Sequence, residues 1–418
     1  MRRMKVVSLL TAGAMLAGMT AIPAQAADVK ITIFNSKMEI QSQLEEMAAE
    51  YSAEKGVDVE VYYSSDTVAA HMSTRYASNE PYTISMVDAK DIYSLAPDHA
   101  IDLSDQKWVE DTTQEIAIDG KVYGFPVCVE ARGIIMNKTA IEDILGESFD
   151  PSTVVTREAF AELLQKLKDG GMETPTGIMK EDWSLAAHYL AEVYETREDP
   201  AAFIRGIHDG SIDLNSDERF TDLMDTFDLL KENNYAASSP IAAVREDTEM
   251  LLADGDIAFM FGGNWDWSVL AEYDPAGEMM MMPVPQDNAD YNGKLVGGGS
   301  KYFFIDSSDN TSDEQREAAK DFLNWLVYDD AGQDFLVNTC ALVPAFSNIT
   351  LEVSDPLGKS VKYFADNGLL VENYNYLPDD HYAKCGASFQ EYLAGEIDRA
   401  GLADEVTKYW ATAEVGAH

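Results

Sequence analysis

The residues best placed to do chemistry sit where strands end. Positions 29–34, 57–62 and 83–87 alternate or run apolar as strands, and each run stops at polar residues: Asn35 and Ser36, Ser64 to Asp66, and Asp88. In open α/β sheets ligands lie beyond the carboxyl ends of the strands, so Asn35, Asp66 and Asp88 are candidate hydrogen-bonding groups for a polar solute. Asn35 and Asp88 each have a second reading, as the N-cap of the helix that follows. Trp265 follows the apolar run 257–261 and the turn Gly262-Gly263-Asn264, so its indole emerges at the end of a short buried strand. Trp267, two residues on, reads equally as contact or packing, and so does Trp183, which follows the loop 176–182. Trp325 and Trp410 fall on apolar helical positions and read as core, whereas Trp108 reads as a surface loop residue.

The signatures of enzyme chemistry are missing, and no catalytic residue is assigned. The chain has no G-x-S-x-G, no H-E-x-x-H and no G-x-x-x-x-G-K-[ST]. Its six histidines (71, 99, 188, 208, 381, 418) include no pair at metal-ligand spacing. Gly297-Gly298-Gly299-Ser300 precedes a strand, whereas a phosphate cradle needs a helix N-terminus after it, so the run reads as a tight turn or a close backbone approach. Asn288, Asp290, Asn292 and Gly293 look like half of a calcium loop, but the twelfth position is Gly299 instead of a bidentate Glu. No metal and no cofactor is expected. Cys128, Cys340 and Cys385 suit no zinc site; Cys340 with Cys385 is the pair to test for a disulfide, against three buried thiols.

The elements that must hold these residues fit a chain of 418 residues, enough for two or three units of ordinary domain size. Lys and Arg number 30 against 74 Asp and Glu, a net charge of -44. Such a surface repels phosphate backbones and anionic headgroups, which excludes nucleic-acid binding and basic-face membrane binding. Residues 1–26 read as a signal peptide: Arg2, Arg3 and Lys5, then an uncharged apolar run, then Ala24-Gln25-Ala26 as the cleavage site. No Cys stands near that site to carry a lipid, so the expected product is free in the periplasm or outside the cell. The β-α-β-α-β opening predicts a largely parallel sheet. From about Thr139 the chain is helix-rich, with Thr156 capping one helix, further helices over 183–194 and 219–231, and a capping box at Ser312-Asp313-Glu314-Gln315. Met279 to Met282 reads as a buried strand, 301–305 as another, and 405–410 as part of the last helix.

Three ordered segments resemble the extracellular solute-binding proteins of ABC sugar importers, the maltose- and multiple-sugar-binding family. They are Asp119-Gly120-Lys121-Val122-Tyr123-Gly124-Phe125-Pro126 continuing through Val129-Glu130-Ala131 to Met136-Asn137-Lys138; Asp254-Gly255-Asp256-Ile257-Ala258-Phe259-Met260 with Gly263-Asn264-Trp265; and Ala319-Lys320-Asp321-Phe322-Leu323-Asn324-Trp325-Leu326 with Gly332-Gln333 and Val343-Pro344-Ala345. Arg132 departs from the pattern, standing where the family usually has a neutral residue. The resemblance implies an α/β, two-lobed periplasmic-binding-protein fold with discontinuous domains: 27–128 plus 286–327 as the N-lobe, 129–285 plus 328–418 as the C-lobe. The implied crossovers lie near 127–130, 283–287 and 326–329.

It also implies a sugar ligand, probed by rings on its C–H faces and by carboxylates, amides and Arg on its hydroxyls. The candidate ligand contacts are then Asn35, Asp66, Asp88, Glu130, Arg132, Trp183, Asn264, Trp265, Trp267, Gly299, Tyr376 and Tyr382. The family's stacking Trp falls at Trp265 and a hydroxyl-binding Asp at Asp88. Glu130 either bonds ligand or pairs with Arg132, and Tyr376 and Tyr382 close the cleft from the C-lobe. The implied role is a non-enzymatic, monomeric carrier that delivers an oligosaccharide to the membrane permease subunits of an ABC importer. Two rivals stand beside it: the same fold holding a polyamine or other cation, which the acidity would suit, and a secreted glycoside hydrolase.

Overall fold

The computed structural model describes residues 29–415 apart from 276, 289 and 379, so the leader read from residues 1–26 lies outside the described residues. Ten strands form one sheet: β1 Val29–Asn35, β2 Val57–Tyr63, β3 Ile84–Asp88, β4 Ile116–Ile118, β5 Lys121–Asn137, β6 Thr176–Gly177, β7 Phe259–Gly263, β8 Met279–Met282, β9 Leu295–Ile305 and β10 Leu370–Glu372. The main path runs β2-β1-β3-β9-β5-β7-β6. The opening is as the alternation predicts: β1 pairs in parallel with both β2 and β3, and the helices Gln41–Lys55 and Val68–Ala77 make the crossovers. The returning strand is longer than expected. β9 takes in Gly297 to Ser300, pairs antiparallel with β3 through 301–305, and then pairs with β5.

Two long strands therefore tie the molecule together. β5 meets β9 along its first half and β7 and β8 along its second. Its register against β9 shifts between Pro126 and Val129, a local irregularity of the kind that re-aims side chains. The Gly297-Gly298-Gly299 run is a close backbone approach and not a turn. A Cβ on Gly297 would lie 2.6 Å from the Glu130 carbonyl oxygen, so only glycine lets β9 come that near β5.

Two large apolar clusters pack around these strands. One joins Ile31, Ile33, Leu44 and Tyr51 to Phe303, Phe322 and Trp325. The other joins Phe160, Leu164, Tyr189, Phe227 and Phe259 to Phe389 and Trp410 on the last helix, Arg399–Trp410. Local signals act as the sequence suggests. Thr156 caps Arg157–Asp169 by accepting the Ala159 N–H at 3.2 Å. Ser312 and Gln315 close a reciprocal capping box on Asp313–Tyr328. Met279–Met282 is a strand, mostly buried. The expected helix over 183–194 divides into a wide π-type turn, Trp183–Leu190, and a short α-turn, Glu192–Glu195.

One expectation is overturned, and of the two readings of the cysteines the buried thiols hold. Trp108 is fully buried, because the 3₁₀ turn Lys107–Asp111 wedges its ring between Phe125 and Phe346, with centroids at 4.9 and 6.2 Å. Cys340 and Cys385 do not pair: all three cysteines are free and buried, Cys340 packs in the cluster that holds Cys128, and Cys385 lies in the other. Among the described residues no helix is long and apolar enough to cross a membrane.

Candidate functional site

A cavity of about 400 Å³ opens where β5 passes from one cluster to the other. Its floor is charged, and every cation in it has a partner. Lys37, just past the end of β1, reaches Glu130 on β5 at 2.7 Å and Glu39 at 2.8 Å. Lys301 on β9 reaches Asp88 at 2.5 Å. Lys90 meets Asp91 at 3.1 Å. Arg132 pairs with Glu195, donates to Asn373 Oδ1 at 2.7 Å and to the His188 carbonyl at 3.2 Å. Burial works against the charge of Lys37 and of Lys301, yet Glu130 and Glu39 at the first, and Asp88 at the second, outweigh it and hold both ammonium groups above their ordinary pKa. Burial raises the Glu195 carboxyl despite Arg132.

One wall is aromatic. The His188 ring stands between two indoles, 5.3 Å from Trp183 and 4.9 Å from Trp265, centroid to centroid. Trp265 folds back over Gly263, where any Cβ would strike its six-membered ring. Burial, then the nearby Arg132 and Arg245, lower the pKa of His188 well below the usual range, so it is a neutral imidazole with one donor and one acceptor nitrogen. Neutral rings beside internally compensated charges suit an uncharged, hydroxyl-rich solute. Among the described residues no group of His, Cys, Asp and Glu could hold a metal ion.

Of the residues singled out from sequence, Asp88, Glu130, Arg132, Trp183, Trp265 and Tyr382 line this cavity. Asp88 takes the second of its two readings, as the N-cap of the helix Ala89–His99, and also pairs with Lys301, a partner the sequence did not suggest. Glu130 and Arg132, two apart on the central strand β5, do not pair with each other; they turn instead to Lys37 and Glu195.

The other six do not line it. Asn35 is fully buried and ties its own turn, donating to the Lys37 carbonyl and accepting the Lys37 N–H, both at 2.8 Å. Asp66 is exposed on the loop after β2. Asn264 accepts the Ala131 N–H at 3.0 Å and so staples the Trp265 turn to β5. Trp267 packs against the apolar core. Gly299 gives its N–H to Gln114 at 2.7 Å. Tyr376 tilts against Tyr93 at 4.3 Å, with its chain neighbours Asn375 and Leu377 facing the cavity in its place.

Sequence reasoning missed Lys37, His188, Glu195, Lys301 and the segment Asn373 to Asn375. Lys37 was legible in principle, since it follows Asn35 and Ser36 at a strand end already marked as a binding edge. Nothing local signals Lys301, which lies within β9, or His188 and Glu195, which reach the cavity from the π-type turn and from the short α-turn after it.

The chain matches the bacterial extracellular solute-binding protein family over residues 46–365. No curated protein sequence matches it. Among solved structures it is similar to the solute-binding protein RafE in complex with raffinose, with a TM-score of 0.75 at 19% identity, covering 92% of this chain and 99% of that one. It is similar to the putative binding protein MsmE of Bacillus subtilis in an open conformation, with a TM-score of 0.74 at 18% identity, covering 92% and 98%. A third is a sugar transporter of Bacillus licheniformis in complex with stachyose, with a TM-score of 0.68 at 18% identity, covering 92% and 99%. Likeness at this level of identity carries the fold, an α/β two-lobed architecture, and the sequence match carries the family: the chain belongs to the bacterial extracellular solute-binding proteins.

Proposed function

We propose that this protein binds an oligosaccharide in the cavity between its lobes and delivers it to the permease of an ABC importer. The observation that carries the reading is the wall Trp183–His188–Trp265 set beside a floor whose cations are all paired. Two indoles offer faces for more than one ring of a sugar chain, and the neutral imidazole between them suits hydroxyl groups. Similar solved structures are complexes with raffinose and with stachyose, and another is a chitin oligosaccharide binding protein. A polyamine would want free carboxylates boxed by rings, and here Asp88, Glu130 and Glu195 are each engaged by a cation.

In this reading Asp88, Glu130, Arg132, Trp183, Trp265 and Tyr382 touch the ligand. The lobes divide as 27–128 with 286–327 and 129–285 with 328–418, and the packing of Phe335 to Phe346 beside Trp108 and Phe125 favours moving that segment to the first lobe. The exported chain starts at or beside Ala27 and acts as a monomer; N-terminal sequencing and light scattering check both. A thermal-shift panel of raffinose, stachyose, chitin oligosaccharides and spermidine tests the central claim. A sugar at 100 times its Kd adds about 2.7 kcal/mol of stability. A shift with spermidine alone would replace the carbohydrate reading with the cationic one.

A further inference from the structure

Behind the Trp265 turn lies a charged cluster that the binding role, as described so far, does not use. The helix Arg245–Asp254 begins at Arg245 and carries Glu249 one turn later, and Asp266 closes the turn Asn264–Asp266. The side chains of Glu249 and Asp266 are fully buried. Arg245 reaches Asp266 Oδ1 at 2.7 Å and Glu249 Oε1 at 2.9 Å. Asp266 Oδ2 accepts the Gly263 N–H at 2.8 Å, under the Trp265 ring. The Arg245 backbone N–H donates to Glu181 at 3.1 Å, on the loop that leads to Trp183, and its guanidinium stands 5.9 Å from the Trp183 ring. Arg245 thus grips both loops that carry the indoles and lines no part of the cavity itself.

Two buried carboxyls against one guanidinium is a costly arrangement, and apolar packing would hold the fold as well or better. What the cluster adds is direction, because the Arg245 Nε–H bond to Glu249 and the Gly263 N–H bond to Asp266, tied by the Arg245–Asp266 ion pair, fix angles that apolar contacts leave loose. Burial, followed by the charge of Asp266, pushes Glu249 up to about 9, so at neutral pH the pair retains one proton. Glu181, His188 and Tyr273 face the cluster from neighbouring elements, Tyr235 reaches the same helix through Thr248, and Glu246 and Asp247 share that helix.

We propose that Arg245 is a positioning residue for solute binding, its guanidinium setting the tilt of Trp265 through Asp266 and Glu249 and its distance from Trp183 by standing against that ring. This rests on the reading of the two indoles as ligand contacts. The test uses the full-length exported protein with raffinose, stachyose and a chitin oligosaccharide as probes. It compares Arg245→Met, Arg245→Lys and Glu249→Gln by titration calorimetry between pH 6 and pH 10, with melting curves of the free proteins. Arg245→Met should weaken the best probe by roughly tenfold, one good contact's worth. Arg245→Lys should recover most of that loss. Wild-type affinity should fall as the pair gives up its proton near pH 9, and Glu249→Gln should flatten that fall.

A folded Arg245→Met with wild-type affinity overturns the proposal. If that variant does not fold, a Glu249→Gln protein whose affinity falls toward pH 9 as steeply as the wild type's overturns it. If the wild type binds none of the probes, the carbohydrate reading falls separately, and positioning is judged on the free protein by acrylamide quenching of tryptophan emission. Greater quenching in the Arg245 variants supports a loosened wall, and equal quenching overturns it.

Discussion

Trp265 and Trp410 serve the same helix-rich half of the molecule in opposite circumstances. Trp410 is 1% exposed, its Nε1–H donates to Tyr194 Oη at 3.0 Å, and Tyr194, His381 and Tyr409 surround its ring. Trp265 is half-buried, touches His188 on one side and Gly263 beneath, and leaves the rest of its surface to the cavity. An indole whose faces and donor are all engaged contributes to folding. An indole held in place by its neighbours but left uncovered on one side has its remaining contact area available to a ligand. The two sites should therefore respond to truncation in different measurements.

The largest effect belongs to Trp410→Ala. Deleting a fully packed indole leaves a cavity and takes one of the two hydrogen-bond partners of the Tyr194 hydroxyl, which keeps His381 Nε2 at 3.2 Å; the loss should be about 3–5 kcal/mol in unfolding free energy. Urea denaturation should show it, while solute affinity in whatever fraction stays folded remains close to wild type. Next comes Trp265→Ala, which should cost on the order of 2–4 kcal/mol of binding, the range of a desolvated hot spot. Its melting temperature should hardly move. A collapsed melting temperature with intact affinity would make Trp265 a core residue and erase the contrast.

How far this contrast was legible beforehand depends on range along the chain. Trp410 announces itself by helical spacing and Trp265 by a strand-turn junction, both local patterns. Trp108 was misread because the partners that bury it, Phe125 and Phe346, are distant in sequence, and a lone Trp in a polar stretch gives no hint of them. The same limit hid the cavity floor. Arg132 pairs with Glu195 across 63 positions and Lys37 with Glu130 across 93, and each takes its partner only once β5 and the elements around it are assembled. Parallel pairing of β1 with β2 and β3, caps at Thr156 and Ser312, and the Met279–Met282 strand all follow from near neighbours, and all are found.

A pH-dependent effect probes the link between the two regions. Glu192 sits on the short turn that carries both Tyr194, the partner of Trp410, and Glu195, the partner of Arg132. Burial pushes its carboxyl from the ordinary 4.5 up to about 8, with Arg132 opposing and Glu195 assisting. The native state therefore holds this proton more tightly than the unfolded chain does. That contribution to stability is complete below about pH 4.5 and is lost as pH rises toward 8. Glu192→Gln, which keeps the neutral shape, should be more stable than wild type by on the order of 4 kcal/mol at pH 8 and little different at pH 4.5. Parallel melting curves of the two proteins across this range would abolish the assignment.

The finest discrimination comes from replacing each indole with phenylalanine. At position 265 the substitution keeps a flat apolar ring above Gly263, so part of the stacking face survives; affinity should drop by about 1 kcal/mol, well short of the alanine variant. At position 410 the ring again survives, but the Nε1–H is lost and Tyr194 Oη keeps only His381 Nε2, at 3.2 Å, of its two partners. One lost hydrogen bond costs about 0.5–1.5 kcal/mol on top of the missing volume, and that cost falls on stability alone. The pair of variants thus separates area from hydrogen bonding. If Trp265→Phe binds as weakly as Trp265→Ala in calorimetry, the ligand takes a hydrogen bond from the indole N–H and not a stacking surface, and the uncovered ring at 265 would then resemble 410 in the one respect that the contrast denies.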